Sequence, residues 1–513
     1  MLSSFFARAN KRFGDVSLSA LLGTDLNHRF DKINFSRGRD LTIPDFYNLS
    51  NATNLYTDEN STTKRLSGIY GSVDLGYKDF VYLTITGRND WASSFGPLAK
   101  SSFFYPAASL SFVPTELLPK NDILDYAKVR VSYAVAGREP LAYTSKTYYA
   151  QPTFTDGFTD GISFPYLGFN GFAIGKTLGN EFLRPELNTS YETGIDLRLL
   201  KNRINLGFTY YHAVASDLLV AQPVARATGF RTYRSNIGEM VNKGIEIEAD
   251  AFIVKTKGFN WRIGGNFTKN KSEVTQLAPG VDQISLESAF TGIGSYAIVG
   301  QPYGAFFGQK WLRDAQGRMI VNASGIPQKD PIEGYIGNPY PEWTSAIRNT
   351  FSYKGLSLFG LLDIRKGSSV WGGTIGRLNR LGRTAITAER GKTYIVEGVL
   401  ADGTPNTKPI SAFQYFTQVV GDGGAAQEAL VYDGSWVRLR EVTLSYDLPK
   451  IANGKFVKSI TVYATGRNLW LDTKYPGVDP ETSLTGAGSN IGGFDYFNMP
   501  GSKSYIFGLR ASF

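Results

Sequence analysis

Apolar and polar residues alternate with a period of two from one end of this chain to the other, and helical periodicity is almost absent. Such a pattern commits the backbone to strands with one greasy face and one ionic face. The last stretch shows it most plainly. Tyr505, Phe507, Leu509, Ala511 and Phe513 share one face, while Ser504, Gly508, Arg510 and Ser512 fall mostly on the other. The same split separates Val81, Leu83 and Ile85 from Tyr82, Thr84, Thr86 and Arg88, and Val129, Val131, Tyr133 and Val135 from Lys128, Arg130, Ser132 and Ala134. Ile195, Leu197 and Leu199 oppose Glu192, Asp196 and Arg198; Ile245, Ile247, Ala249 and Ala251 oppose Glu246, Glu248 and Asp250.

The pattern predicts about 15 strands, at roughly 1–11, 16–36, 66–77, 80–91, 102–113, 126–138, 189–200, 204–220, 236–254, 259–274, 342–353, 356–370, 431–447, 458–470 and 502–513. Alternation alone also suits a soluble sandwich, so the connections decide. Every second link is short: Gly14-Asp15, Lys78-Asp79, Lys201-Asn202-Arg203, Lys255 to Gly258 and Lys354-Gly355. The links between are long, roughly 139–188, 275–341, 371–430 and 471–501. Short turns at one end and long loops at the other are what an all-β, transmembrane antiparallel barrel of the outer membrane requires. Two irregularities are expected within it. Val437 and Leu439 change phase to Val442, Leu444 and Tyr446, which predicts a bulge near Arg440-Glu441, and Pro106 predicts a bulge or a locally unpaired amide. Tyr77, Phe80, Trp91, Phe351, Tyr353 and Trp470 cluster at strand ends, where interfacial girdles place aromatics.

Composition narrows the chemistry. The 513 residues include no Cys, which excludes disulfides, thiolate metal sites and thiol nucleophiles. The two His, His28 and His212, leave little for histidine catalysis, and His212 lies in phase with Tyr210 on an outward face, so no catalytic residue, metal site or cofactor is expected. Net charge is +9, but the basic residues are scattered, which argues against a nucleic-acid surface. No apolar run of about 18 residues is present, so no transmembrane helix is expected, and a mean hydropathy of −0.18 is compatible with a barrel. The opening MLSSFFARANKRFGDV carries Arg8, Lys11 and Arg12 where an export signal needs its apolar core.

A final Phe513 after alternating apolar residues has the look of the last strand of a bacterial barrel, and Tyr505, Phe507, Leu509 and Phe513 are its candidate assembly signal. Counting back from a periplasmic end puts all short turns in the periplasm and all long loops outside. It also starts the first strand outside the cell. Single-chain bacterial barrels have even strand numbers, so an odd count predicts strands upstream of this stretch.

Several segments resemble the SusC/RagA-type TonB-dependent transporters of Bacteroidota: RNDWASSFGP (88–97), LRPELNTSYETGIDLRLL (183–200), YRSNIGEMVNKGIEIEAD (233–250), IVGQPYGAFFGQKWLRDAQGR (298–318), GNPYPEWT (337–344), GSWVRLREVTLSYDLP (434–449) and YATGRNLWLDTKYPGVDPE (463–481). The resemblance implies a 22-stranded barrel closed by an N-terminal plug. Residues 1–513 would be its C-terminal barrel portion, with the plug, the TonB box and the first strands absent. It further implies import of oligosaccharides or oligopeptides as partner ligands, a SusD-like surface lipoprotein as lid, TonB-ExbB-ExbD engaged through the missing N-terminal part, and outer-membrane lipid around the wall. A barrel kept as a structural subunit of an envelope assembly, without transport, is the alternative. A soluble all-β binding module is a third.

GFAIGKT (171–177) imitates a phosphate loop, but Asn170 stands where a Gly is needed; GIGSYA (292–297) imitates a dinucleotide fingerprint, but without the strand-to-helix setting both read as turns. The expected inward charges are Arg88, Lys128, Arg130, Glu192, Asp196, Arg198, Glu246, Glu248, Arg262, Arg348, Arg438 and Arg467, as lumen lining that pairs among itself or lines a solute path. The loop aromatics Tyr166, Phe169, Phe172, Tyr303, Trp311, Trp371, Phe494 and Tyr496 are candidates for ligand contact, since flat rings stack on sugars and side chains at small entropic cost. Packing within the loops is their alternative. The stretch TIGRLNRLGRTAITAERGK (374–392) predicts a short basic helix inside a loop.

Overall fold

The computed structural model describes residues 1–154, 162–449, 457–486, 489 and 491–513; parts of the expected loops 139–188 and 471–501 lie outside the described residues. The chain forms two compact units. The first comprises Met1–Phe112, Arg130–Tyr191 and Ala213–Glu239, and the second Val113–Val129, Glu192–His212 and Met240–Phe513.

Fifteen strands follow one another in a single antiparallel order that matches their order in the sequence. They are β1 (Leu2–Phe13), β2 (Val16–Leu41), β3 (Ala52–Tyr77), β4 (Val81–Ala92), β5 (Ser102–Phe112), β6 (Leu124–Arg138), β7 (Glu186–Leu199), β8 (Ile204–Ser216), β9 (Glu239–Lys255), β10 (Phe259–Gln276), β11 (Trp343–Tyr353), β12 (Leu356–Lys366), β13 (Trp436–Asp447), β14 (Ser459–Thr473) and β15 (Ser504–Ser512). Even the shortest, β15 with nine residues, reaches the length that crosses a bilayer core when tilted. The predicted strands fall where expected, within a few residues at most ends.

The tight turns form because their residues accept a left-handed backbone. Lys78 and Asp79 have φ of 47° and 60°, and Lys354 and Gly355 have 47° and 87°. Two successive positive φ values are the signature of the two-residue turn whose twist matches the strands it joins. At that end, rings meet edge to face: Tyr77 on Phe80 at 5.6 Å, and Phe80 on Phe112 at 6.1 Å. In the second unit Trp261 stacks on Phe351 at 5.6 Å.

One face of the sheet is apolar and uncovered. Leu22, Ile69, Ile85 and Leu110 of the first unit, and Ile247, Leu358, Leu444 and Leu509 of the second, are exposed, and Phe507 reaches 81 %. A water-soluble protein rarely leaves an apolar area of this extent bare. The largest fully buried side chains of the second unit lie instead in the loop insertions, where Phe306, Trp371, Leu430 and Phe494 form one core.

Four expectations are corrected or refined. The third strand begins at Ala52 rather than near 66, so β2 and β3 make a hairpin of 26-residue strands. Residues 57–65 are polar on both faces, and no alternation announces this stretch. The strands expected to run to 220 and 370 stop at Ser216 and Lys366, because Asp217 and Gly367 take positive φ (55° and 79°); Leu219–Pro223 and Ser369–Gly372 then pair in small separate sheets. Pro106 makes no bulge against β4, since the register runs unbroken through Gly87↔Pro106. The phase change at Arg440 is a bulge: Leu361 faces Glu441, Leu362 faces Leu439, and the register with β14 also shifts there.

Candidate functional site

The ionic face is built by the same alternation that exposes the apolar one. In the first unit Arg88 is the hub. Its guanidinium donates to Asp25 at 2.7 Å and to Asp90 at 2.8 Å, and lies over the Tyr70 ring at 5.2 Å. The Tyr105 hydroxyl donates to the other oxygen of Asp90. Lys64 pairs with Glu139 in the same unit. Arg130 lies on the part of β6 belonging to this unit.

In the second unit Arg262 donates to Asp250 at 2.8 Å, and Arg348 sits 3.5 Å from Glu248 and 3.8 Å from Asp250. Arg467 donates to Glu441 at 3.0 Å. Arg198 lies over the Tyr126 ring at 5.1 Å, while Lys128, Glu192, Asp196 and Glu246 occupy β6, β7 and β9 in the same phase as their predicted neighbours. Most of these pairs are half exposed, where each contributes about 0–1 kcal/mol. Their effect is to hold an ionic surface in one arrangement.

Arg438 differs, because it and Asp479 are both buried, with the guanidinium donating at 2.6 Å. Arg440, displaced by the bulge, reaches both Asp363 at 2.6 Å and Glu481 at 2.9 Å. Both guanidinia lie over the Trp436 ring, at 5.3 and 5.2 Å. The bulge thus aims two neighbouring arginines at one segment of the last loop.

The candidate aromatics separate into two groups, with Tyr303 apart. Trp371, Phe494 and Tyr496 converge with Phe290, but as packing. Trp371 is 2 % exposed and Phe494 0 %, with rings 5.8 Å apart, and Trp371 Nε1 donates to Gln427 at 3.0 Å. Trp311 is buried against Ala425 and Ala426. Neighbouring Asp495 accepts from Thr374 at 2.9 Å and from Tyr475, and burial followed by that hydrogen bond holds the Tyr475 hydroxyl far above the usual phenol range. Tyr166, Phe169 and Phe172 form the second group, exposed in the first unit, with Tyr166 and Phe169 closing a tight turn and Phe169 at 76 %. Tyr303 stands in neither; it lines an open cavity of about 620 Å³ within the second unit.

That cavity contains residues the sequence reading passed over as ligand contacts, among them Asn242, Gln301, Tyr335, Tyr340 and Glu342. Tyr340 and Glu342 lie in GNPYPEWT, where a pair of prolines around an aromatic was the available signal. The expected basic helix exists as α1 (Gly373–Arg380), and Arg377 and Arg380 turn toward Asp422. GFAIGKT holds two-residue strands and GIGSYA a longer strand, with no helix following either.

A family model described as TonB dependent receptor-like, beta-barrel, matches residues 3–469. TonB-dependent receptor P3 of Formosa agariphila is 25 % identical over 552 residues, covering 100 % of this chain and 52 % of the relative. SusC of Bacteroides thetaiotaomicron is 22 % identical, covering 88 % of this chain and 44 % of the relative. The chain spans about half the length of the curated relatives it matches. Among solved structures, the RagAB peptide importer in its closed-closed state superposes with a TM-score of 0.78 at 20 % identity, over 100 % of this chain and 55 % of that one.

Proposed function

We propose that this chain, which belongs to the TonB-dependent receptor-like β-barrel family and to its SusC/RagA type, forms the greater part of the wall of an importer for oligosaccharides or oligopeptides. As a member of that family it is an outer-membrane protein, and the family consists of transporters and receptors rather than enzymes. In this reading the exposed apolar face lies in lipid. The face carrying Arg88, Lys128, Arg130, Glu192, Asp196, Arg198, Glu246, Glu248, Arg262, Arg348, Arg438 and Arg467 turns to the lumen. The short turns are periplasmic, the long loops extracellular, and β15 carries the assembly signal in Tyr505, Phe507, Leu509 and Phe513. Polypeptide beyond residues 1–513 supplies the plug, the TonB box and the remaining strands. A SusD-like lipoprotein covers the loops, and TonB-ExbB-ExbD supplies the energy.

The observation that carries the reading is the opposition of two faces on strands long enough to cross a bilayer. One is bare and apolar, the other is laced with ion pairs, and neither arrangement suits a soluble sheet packed on a core. The experiment is uptake of labelled oligosaccharides and oligopeptides by cells with and without the full-length gene, in the presence and absence of TonB. Gene- and TonB-dependent uptake of either class is the expected result. Unchanged uptake of both, with envelope assembly impaired, would establish the structural-subunit role instead.

A further inference from the structure

At the loop end of β9 and β10 the ionic face opens into the cavity of about 620 Å³, within the size range of small-molecule sites. Its lining is mostly aromatic and polar. Tyr303, Tyr335 and Tyr340 supply rings, Asn242 and Gln301 supply amides, and Glu342 supplies a carboxylate. Lys271 is the one cation among the described lining residues, and Glu273 holds it at 3.1 Å. Among the described residues no cation pairs with Glu342, and the amides of Asn242 and Gln301 have no hydrogen-bond partner.

We propose that this cavity binds a sugar ring of a neutral oligosaccharide, which makes a glycan rather than a peptide the cargo; the proposal rests on the import reading above. A pyranose offers C–H faces that sit on phenol rings, and adjacent hydroxyls that donate and accept at once. Asn and Gln amides both donate and accept, and a carboxylate takes two hydroxyl protons side by side, so planar polar side chains match vicinal diols. Burial raises the Tyr335 and Tyr340 hydroxyls above the usual phenol range, which keeps both as donors. An anionic ligand, or the carboxylate of a peptide, meets Glu342 and no unengaged cation. The likeness to a peptide importer at 20 % identity concerns the fold and does not oppose this assignment.

The test uses the full-length gene product, purified from outer membranes in detergent with whatever lipoprotein accompanies it. Calorimetry is run with hexasaccharides of α-1,4-glucan, β-1,3-glucan, β-1,4-xylan and β-1,4-mannan, and with a neutral hexapeptide. At least one hexasaccharide is expected to bind, and Tyr303→Ala and Glu342→Gln are each expected to weaken it about tenfold or more, with heat-modifiable gel mobility unchanged. Glu342→Gln keeps the side chain's shape, so its loss of affinity reports recognition rather than folding. Failure of all four saccharides to bind overturns the proposal, as does binding that neither substitution alters, or binding of the hexapeptide as tight as that of any saccharide and weakened by the same substitutions. TonB-dependent growth on the bound saccharide judges the import reading separately: binding that responds to the substitutions without growth sinks import and leaves the cavity standing.

Discussion

The loop insertions of the second unit and the β2–β3 hairpin of the first both extend beyond the strands that neighbour them, yet they are built in opposite ways. The insertions converge from distant parts of the sequence onto a core of Phe306, Trp371, Leu430 and Phe494, while Arg438–Asp479 ties the last loop to β13. The hairpin is two strands of 26 residues, about 85 Å at roughly 3.3 Å per residue. Beyond His28 and Arg65 these strands have no ladder partner but each other among the described residues, since β1 ends at Leu2↔Asn27 and β4 at Leu66↔Ala92; near that end the Thr63 N–H donates to the Tyr143 hydroxyl and Lys64 pairs with Glu139. A two-stranded ribbon is marginal in water. Local contacts hold this one: Phe35 against Tyr56 at 6.3 Å, Arg37 over that ring at 5.8 Å, Lys32–Glu59 at 2.8 Å, and Asn51, whose amide donates to Ile43 and Phe46 carbonyls at 2.8 Å. Burial can make an extramembranous region a fixed scaffold, whereas a ribbon held by surface contacts remains an arm whose order depends on what it meets.

The comparison can be broken by substitution. Trp371→Ala removes the ring at the centre of the insertions and is expected to cost about 3–5 kcal/mol there. Limited proteolysis should then cut residues 277–342 and 367–435 while the strands keep their heat-modifiable mobility; an unchanged pattern would show that the core is not what orders the loops. Asp479→Asn removes the buried carboxylate that Arg438 bonds at 2.6 Å and leaves it only Glu481 at 3.5 Å, at about 1.5–3 kcal/mol, and should raise hydrogen exchange around residues 474–486 alone. Tyr56→Ala, in the hairpin, removes one ring pair worth about 0.5–1.5 kcal/mol. It should loosen residues 28–41 and 52–65 without altering protection of the insertions.

The smallest effect is that of acid. The Asp330 carboxyl is held below its ordinary range by the Ile332 backbone N–H and then by Lys310, and that of Asp402 by the Thr404 hydroxyl and then its N–H. Because both are depressed in the folded loops, their stabilisation is present in full above the ordinary carboxylate value and is lost as pH falls through the lowered one. Loop protection should therefore decline only below that ordinary value, and Asp330→Asn should flatten the decline.

These two regions also mark how far the sequence could be read. The 15 strands were legible because alternation, Lys78-Asp79 and Lys354-Gly355 announce strands and turns locally, and even the Arg440 bulge showed as a phase change. The hairpin extension was not, because Thr57, Asp58, Glu59, Asn60 and Ser61 are polar on both faces and carry no period. The insertion core was not, because Phe290, Trp371 and Phe494 meet only through tertiary folding across some two hundred residues. Trp371 and Phe494 were singled out as aromatics, but nothing in their local sequence told a buried ring from a displayed one. The cavity escaped for the same reason: Asn242, Gln301 and the pair Tyr335 and Glu342 come from three separate segments.

In the proposed arrangement one face of these strands lies in lipid and the other in water. Residues 1–513 contain no cysteine, so single cysteines at 245, 246, 247 and 248 of β9 meet no background from this stretch. In reconstituted vesicles, a fluorophore at Ile245→Cys and Ile247→Cys is predicted to be quenched by brominated lipid, and at Glu246→Cys and Glu248→Cys by aqueous iodide. Uniform quenching along the strand, or the reverse alternation, would contradict the account.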